Sequence, residues 1–225
     1  MWPSGLPDRK GKIRFLAPGR ALAFADDPAW DDELAALGQR DGPAPTLIMD
    51  GLVDVVRRWS RSWERPVAVV GMPSRRYPTL VRSVAEHIAA VGRLPLVHAL
   101  TISGPPPAVD AASAVRAKDL LYRTALVPGV SFTGAVLLVD NTIRTRWTAT
   151  VAAALLADAG ATSVLPLANR ATVATSPLGA SPAATRAAAS GDMRTTARAR
   201  AQRAVSSLAE TSTMRALPAA SRWVR

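Results

Sequence analysis

Ala135-Val136-Leu137-Leu138-Val139-Asp140-Asn141-Thr142-Ile143-Arg144-Thr145-Arg146-Trp147-Thr148 is the stretch that decides how this chain is read. Residues 135–139 form an unbroken apolar run, the pattern of a strand buried on both faces. From Asp140 to Thr148 the chemistry changes to acid, amide, hydroxyl and guanidinium, which predicts a loop leaving the strand tip. A helix is expected from about Thr148 to Ala159, stopped by Gly160, and Ser163 to Leu167 reads as the next strand. Strands alternating with helices imply a parallel sheet with right-handed crossovers.

The same rhythm is visible upstream. Pro66 to Val70 is a short apolar, β-branched run that ends in Gly71-Met72-Pro73-Ser74-Arg75-Arg76, a turn-forming basic loop. Residues 78–91 predict a helix, with Pro78 at its start and Leu80, Val84, Ile88 and Val91 on one face. Leu94 to Leu100 is a second strand candidate. Between 101 and 134 the Gly104-Pro105-Pro106-Pro107 and Pro128-Gly129 breaks leave only a helix over about 110–123 to be read. Residues 1–46, rich in Pro, Gly and Asp, carry one short helix from about Pro28 to Leu37. Asp26 or Asp27 is its candidate cap, and Asp31, Asp32 and Glu33 suit its first turn. Residues 47–63 predict a second helix from the spacing of Leu47, Leu52, Val55, Val56 and Trp59. Trp2, Trp30, Trp59 and Trp63 are read as core or docking anchors, and Trp147 as a packing residue at a helix start.

The whole chain has 225 residues and is 48% apolar, enough for a sizeable core and too much for disorder throughout. It has no cysteine, which excludes disulfides, a thiol nucleophile and cysteine-held metals. His87 and His98 are its only histidines, too few for a histidine metal site, and neither is assigned a role. The net charge is +11, a balance that points toward polyanions. The excess is unevenly placed: residues 1–60 carry −1, 61–169 carry +5 and 170–225 carry +7. In the last segment 16 of 56 residues are alanine and none is Ile, Phe or Tyr, so it reads as a low-complexity basic tail attracting nucleic acid nonspecifically. No run is long enough to cross a membrane. Arg9, Lys10 and Lys12 ahead of Ala23-Phe24-Ala25 imitate a signal peptide, but Pro18-Gly19-Arg20 interrupts its apolar part, so a cytoplasmic protein is expected.

Ligands of open parallel sheets bind at the carboxyl ends of strands. Two such ends carry unusual loops here. Backbone N–H groups at the start of the helix near Thr148 can hold a phosphate, with Thr142, Thr145 and Thr148 adding hydroxyls. Asp140 can accept from sugar hydroxyls or hold a metal through water. Ser74, Arg75 and Arg76 lie in a neighbouring loop suited to a second phosphate or pyrophosphate. The ordinary structural alternatives are a lone acid after a strand and a solvated arginine pair; the two loops together favour the phosphate site.

These residues carry a resemblance. Val136 to Thr148 resembles the phosphoribosyl diphosphate loop of type I phosphoribosyltransferases: an apolar strand, two adjacent acids, three residues, then Thr-Gly-x-Thr. Val67 to Arg76 resembles that family's pyrophosphate loop. Ala68 to Arg76, Gly92 to Leu96 and Leu137 to Leu167 are more similar still to the phosphoribosyltransferase-like carboxy-terminal region of actinobacterial RecQ-type DNA helicases. Met1 to Gly5 and Pro18 to Leu22 resemble the linker ahead of that region. The resemblance covers roughly 1–169. It implies an α/β fold with a parallel central sheet, divided into an N-terminal linker and helical extension (1–63), a phosphoribosyltransferase-like domain (64–169) and the basic tail (170–225).

By match to the motif, Asp140 takes the ribose-facing acid position, and Thr145, Arg146 and Thr148 fall in the phosphate-binding loop. Asn141 stands where the family has its second acid, which removes charge that would help hold ribose hydroxyls and magnesium. Arg146 stands where the family has glycine, restricting φ where the backbone approaches phosphate. The chain has no Gly-x-x-x-x-Gly-Lys-Ser/Thr loop, so it does not hydrolyse ATP as a helicase motor does. The leading expectation is therefore a phosphoribosyltransferase-like accessory module of a RecQ-type helicase system, without helicase or full transferase activity. Its expected partners are nonspecific DNA, through the basic tail, and helicase machinery, with no membrane. Two alternatives stay open. One is an active phosphoribosyltransferase using phosphoribosyl diphosphate and magnesium. The other is a nonfunctional, truncated or frame-shifted fragment, with which the composition break near 169 also agrees. No catalytic residue, cofactor or resident metal follows from the residues themselves.

Overall fold

A computed structural model describes residues 17–24, 29–60, 63–104, 113–144 and 147–172. Its centre is a parallel four-stranded sheet, ordered β1 (Arg20–Phe24), β6 (Val164–Ala171), β5 (Val136–Ile143) and β2 (Ala68–Gly71). The parallel α/β fold expected from the sequence is thus the fold observed. Beyond β2, Leu96 makes one parallel bridge to Val69, so the expected strand at 94–100 contributes a single rung there. The chain then turns into a small antiparallel pair, β3 (Leu100–Ile102) with β4 (Thr124–Leu126).

Helices cover both faces. On one, α1 (Asp31–Leu37), α2 (Thr46–Trp59) and α3 (Pro78–Gly92) share a core with Leu22, Val69, Leu137, Val139, Leu165 and Leu167. On the other, α5 (Trp147–Asp158) packs with Ala68, Val70, Val136, Leu138 and Val164. Alternate residues of β5 therefore serve opposite cores, which is why 135–139 is apolar without a break. Helix α5 is rich in small residues, with Ala149, Ala152 and Ala153 buried against the sheet. Helix α4 (Ser113–Arg123) leads directly into β4.

Four expectations are corrected. Residues 20–24, passed over as part of a Pro/Gly/Asp-rich stretch, form edge strand β1, paired parallel with β6 from Arg20–Leu167 to Phe24–Ala171. A five-residue strand under helices shows little alternation and is easily missed. Residues 140–143, expected as loop, continue β5, held by β6 through the Asp140–Ala168, Thr142–Arg170 and Ile143–Ala171 pairs. Strand β6 itself runs past Leu167 to Ala171. Helix α2 stops at Trp59 rather than 63, although Trp63 still packs on Trp59 with ring centroids 4.6 Å apart.

Helix α1 begins at Asp31 without a side-chain cap, and Asp26 and Asp27 lie outside the described residues. Trp30, just before it, is fully buried. The N-terminal helices are thus part of the core that carries the sheet. The segment after Thr172 lies outside the described residues, as does Trp2.

Candidate anion-binding cleft

The carboxyl ends of β2, β5 and β6 converge on one side of the sheet. Met72 N–H donates to the Val139 carbonyl at 2.7 Å, so the loop after β2 starts beside Asp140. Ser74 Oγ accepts the Tyr77 N–H at 3.0 Å, closing the turn, and the Tyr77 hydroxyl donates to the Gly38 carbonyl at 2.8 Å. That last bond ties the loop to the end of α1. Asp41 accepts from the N–H groups of Thr79 and Leu80, both at 3.0 Å, and so caps α3 directly behind the loop. Burial works against the Asp41 carboxylate, but these bonds prevail and hold its pKa below the usual value.

Between these ends lies a cavity of about 510 Å³, lined by Ser74, Arg76, Asp140, Asn141, Thr142, Arg144 and Arg170 among others, with Leu34 and Leu37 of α1 as its apolar wall. The structure thus brings together Ser74, Arg76, Asp140, Asn141 and Thr142 from the two motifs. Arg75 is exposed and does not line the cavity. Thr148 is half-buried in the first turn of α5 and does not line it either. Thr142 sits on a strand rather than at a helix start. Thr145 and Arg146 lie outside the described residues.

Four polar lining groups are not among the expected site residues: Tyr77, Arg144, Arg170 and Thr172. By composition Arg170 and Thr172 belong to the start of the basic tail. The signal that would have found them is register: Arg170 pairs with Thr142, so whatever β5 presents at its tip, β6 presents beside it.

The electrostatics are one-sided. Arg76, Arg144 and Arg170 reach the cleft, and Arg76 stacks its guanidinium 5.2 Å over the Tyr77 ring. Arg170 also pairs with Asp31 at 3.3 Å. Among the described residues the one carboxylate lining the cavity is Asp140. Loss of hydration raises its pKa to about 6, against hydrogen bonds from the backbone N–H groups of Asn141 and Thr142. Behind it Asn141 and Asn169 form an amide pair, Asn169 Nδ2 donating to Asn141 Oδ1 at 3.1 Å. Asn169 is 1% exposed, and its own Oδ1 has no hydrogen-bond partner among the described residues. Among the described residues no cluster of three or more His, Cys, Asp or Glu side chains could hold a metal ion.

Fold and site together define a parallel α/β protein with a cationic cleft at the carboxyl edge of its sheet. No protein-family model matches the chain, and no curated protein matches its sequence. It is similar to a solved structure described as the allosteric regulatory enzyme of purine biosynthesis, at 22% identity, over 61% of this chain and 26% of that one, with a TM-score of 0.38. The chain therefore spans about a quarter of that structure's length.

Proposed function

We propose that this chain is a phosphoribosyltransferase-like module whose cleft binds a phosphorylated sugar, acting as an accessory to a RecQ-type DNA helicase system rather than as a full transferase. The observation that carries the binding reading is the cavity itself, in which Ser74 and Arg76 from the first motif face Asp140, Asn141 and Thr142 from the second. Guanidinium and hydroxyl groups suit phosphate oxygens, and the Asp140 carboxylate suits a ribose hydroxyl. The helicase association is supported by the sequence resemblance of residues 1–169, and the reading against full transfer by Asn141 and Arg146 in the motif.

Ribose 5-phosphate titrated into isotopically labelled protein tests the site. Shifts concentrated at Ser74–Tyr77 and Asp140–Arg144 are expected, and Arg76→Ala should weaken binding by about tenfold. Shifts confined elsewhere would sink the assignment. For the helicase link, co-migration with an actinobacterial RecQ-type helicase core in gel filtration is expected, and separate elution would remove it. Slow or absent transfer from phosphoribosyl diphosphate to any free base is expected; rapid turnover would restore the active-enzyme reading.

A further inference from the structure

The resemblance brings magnesium with it, and the residues present do not suit that ion. Magnesium demands near-octahedral oxygen ligands at short range, usually carboxylates together with phosphate and water. Here the described lining offers one carboxylate, that of Asp140 in the carboxyl half of β5, whose Oδ1 also accepts the Asn141 N–H at 2.7 Å. The neighbouring position is a neutral amide, whose oxygen accepts from Asn169 Nδ2 at 3.1 Å and brings no negative charge to a cation. Its amide nitrogen has no lone pair to give a metal and serves a ligand only as a hydrogen-bond donor. Asn141 Nδ2 makes no bond to any described residue, and the side chain lines the cleft. Three guanidinium groups line the same cleft, Arg170 paired with Asp31, and their positive charge disfavours a divalent cation.

We infer that the cleft holds the anionic oxygens of its ligand without a divalent cation, with Asn141 as a donor oriented by Asn169 and with Arg76 and Arg144 supplying the charge a metal would otherwise bring. This rests on the reading of the cleft as a phosphorylated-sugar site. Asn169 acts here as a positioning residue. It is buried at the register position beside Asn141, and its bond to Asn141 Oδ1 orients that amide.

Ribose 5-phosphate is the probe, titrated calorimetrically into the full chain in millimolar magnesium and, separately, in excess chelator. The two dissociation constants should agree within about twofold once ionic strength is matched. A requirement for magnesium would overturn the inference while leaving the site reading intact. Absence of binding in both arms would overturn the site reading, and the inference with it. A second measurement needs no sugar ligand. Manganese should not broaden the side-chain amide signals of Asn141 or Asn169 in the native chain, and selective broadening there would overturn the inference. Asn141→Asp rebuilds the adjacent acid pair. Its folding is checked by its melting curve, and its ribose 5-phosphate affinity in chelator should fall by at least about tenfold. Part of that loss should return with magnesium; an unchanged affinity in chelator would remove the donor role of Asn141.

Discussion

Asp140 carries the most legible chemistry of any single residue. Its carboxyl, half-buried in the carboxyl half of β5, has its pKa raised from 3.8 to about 6 by lost hydration. The charged groups around it are Arg76 from the β2 loop, Arg144 beyond β5, and Arg170 of β6 with its partner Asp31 of α1. Because the folded state holds this proton more tightly than the unfolded chain, the ionised carboxylate costs stability. That cost grows as pH rises from about 4 to 6 and is complete above the folded pKa. Asp140→Asn removes the cost but keeps an acceptor for the Asn141 N–H. It should therefore raise the melting temperature at pH 8 and leave it nearly unchanged at pH 4. A gain of equal size at both pH values would show that the burial cost had been misassigned. Asp41 has the opposite sign. Its lowered pKa means its contribution is present at neutral pH and is lost as pH falls through the folded pKa, so Asp41→Ala should destabilise the chain at pH 7 more than at pH 3.

At the scale of elements, two glycines set how closely parts can approach. Gly51 lies inside α2, where helix propensity alone favours alanine by about 1 kcal/mol. A Cβ there would stand 2.7 Å from Leu22 Cδ1 of β1 and 2.9 Å from the Trp30 ring, both fully buried. Packing outweighs propensity because the indole is held rigidly in the core. Gly51→Ala should cost about 1–3 kcal/mol, several degrees of melting temperature in a thermal scan. A stabilised variant would mean that the α2–β1 contact is looser than described. Gly160, anticipated as the stop of α5, has φ +94°, and a Cβ would approach the Phe132 carbonyl oxygen to 2.4 Å. Both neighbours are backbone-fixed, since Phe132 N–H donates to the Ala159 carbonyl at 2.7 Å. Gly160→Ala should therefore cost more than Gly51→Ala, about 3 kcal/mol or above.

Across the whole molecule the boundary of the basic segment moves. Strand β6 runs to Ala171 and Thr172 lines the cleft, so a truncation meant to remove only the tail belongs after Thr172. Residues 173–225 hold 8 basic and 2 acidic groups, a net +6 out of +11. Scattered arginines neutralise phosphates without reading bases, so DNA binding is expected to be indifferent to sequence and steeply salt-dependent. With about six phosphate contacts on duplex DNA the log–log salt slope should be about −5. Removing 173–225 should abolish most of the affinity and leave the melting temperature in place, as fluorescence anisotropy and a thermal scan on both forms will show. Undiminished affinity would shift the DNA contact to the folded surface, where Arg75, Arg76 and Arg144 are exposed.

What the sequence determined by itself was the central alternation of strands and helices in the protein. Apolar runs at 66–70 and 135–139, and the helices between and after them, are local patterns strong enough to be read without a partner. The loop after β2 and the tip of β5 could be nominated as a joint site because ligands of parallel sheets gather at those strand ends. What only the tertiary structure decided were features that depend on a neighbour. Residues 140–143 have the composition of a loop and are a strand because β6 supplies hydrogen bonds alongside them. Arg20 to Phe24 is a strand because the edge of β6 is open to it. Asn169 and Arg170 reach the site through pairing, with no motif of their own, since strand register is set by contacts far apart in the chain. The orientation of the Asn141 amide is set by Asn169, a residue 28 positions away that no local pattern connects to it.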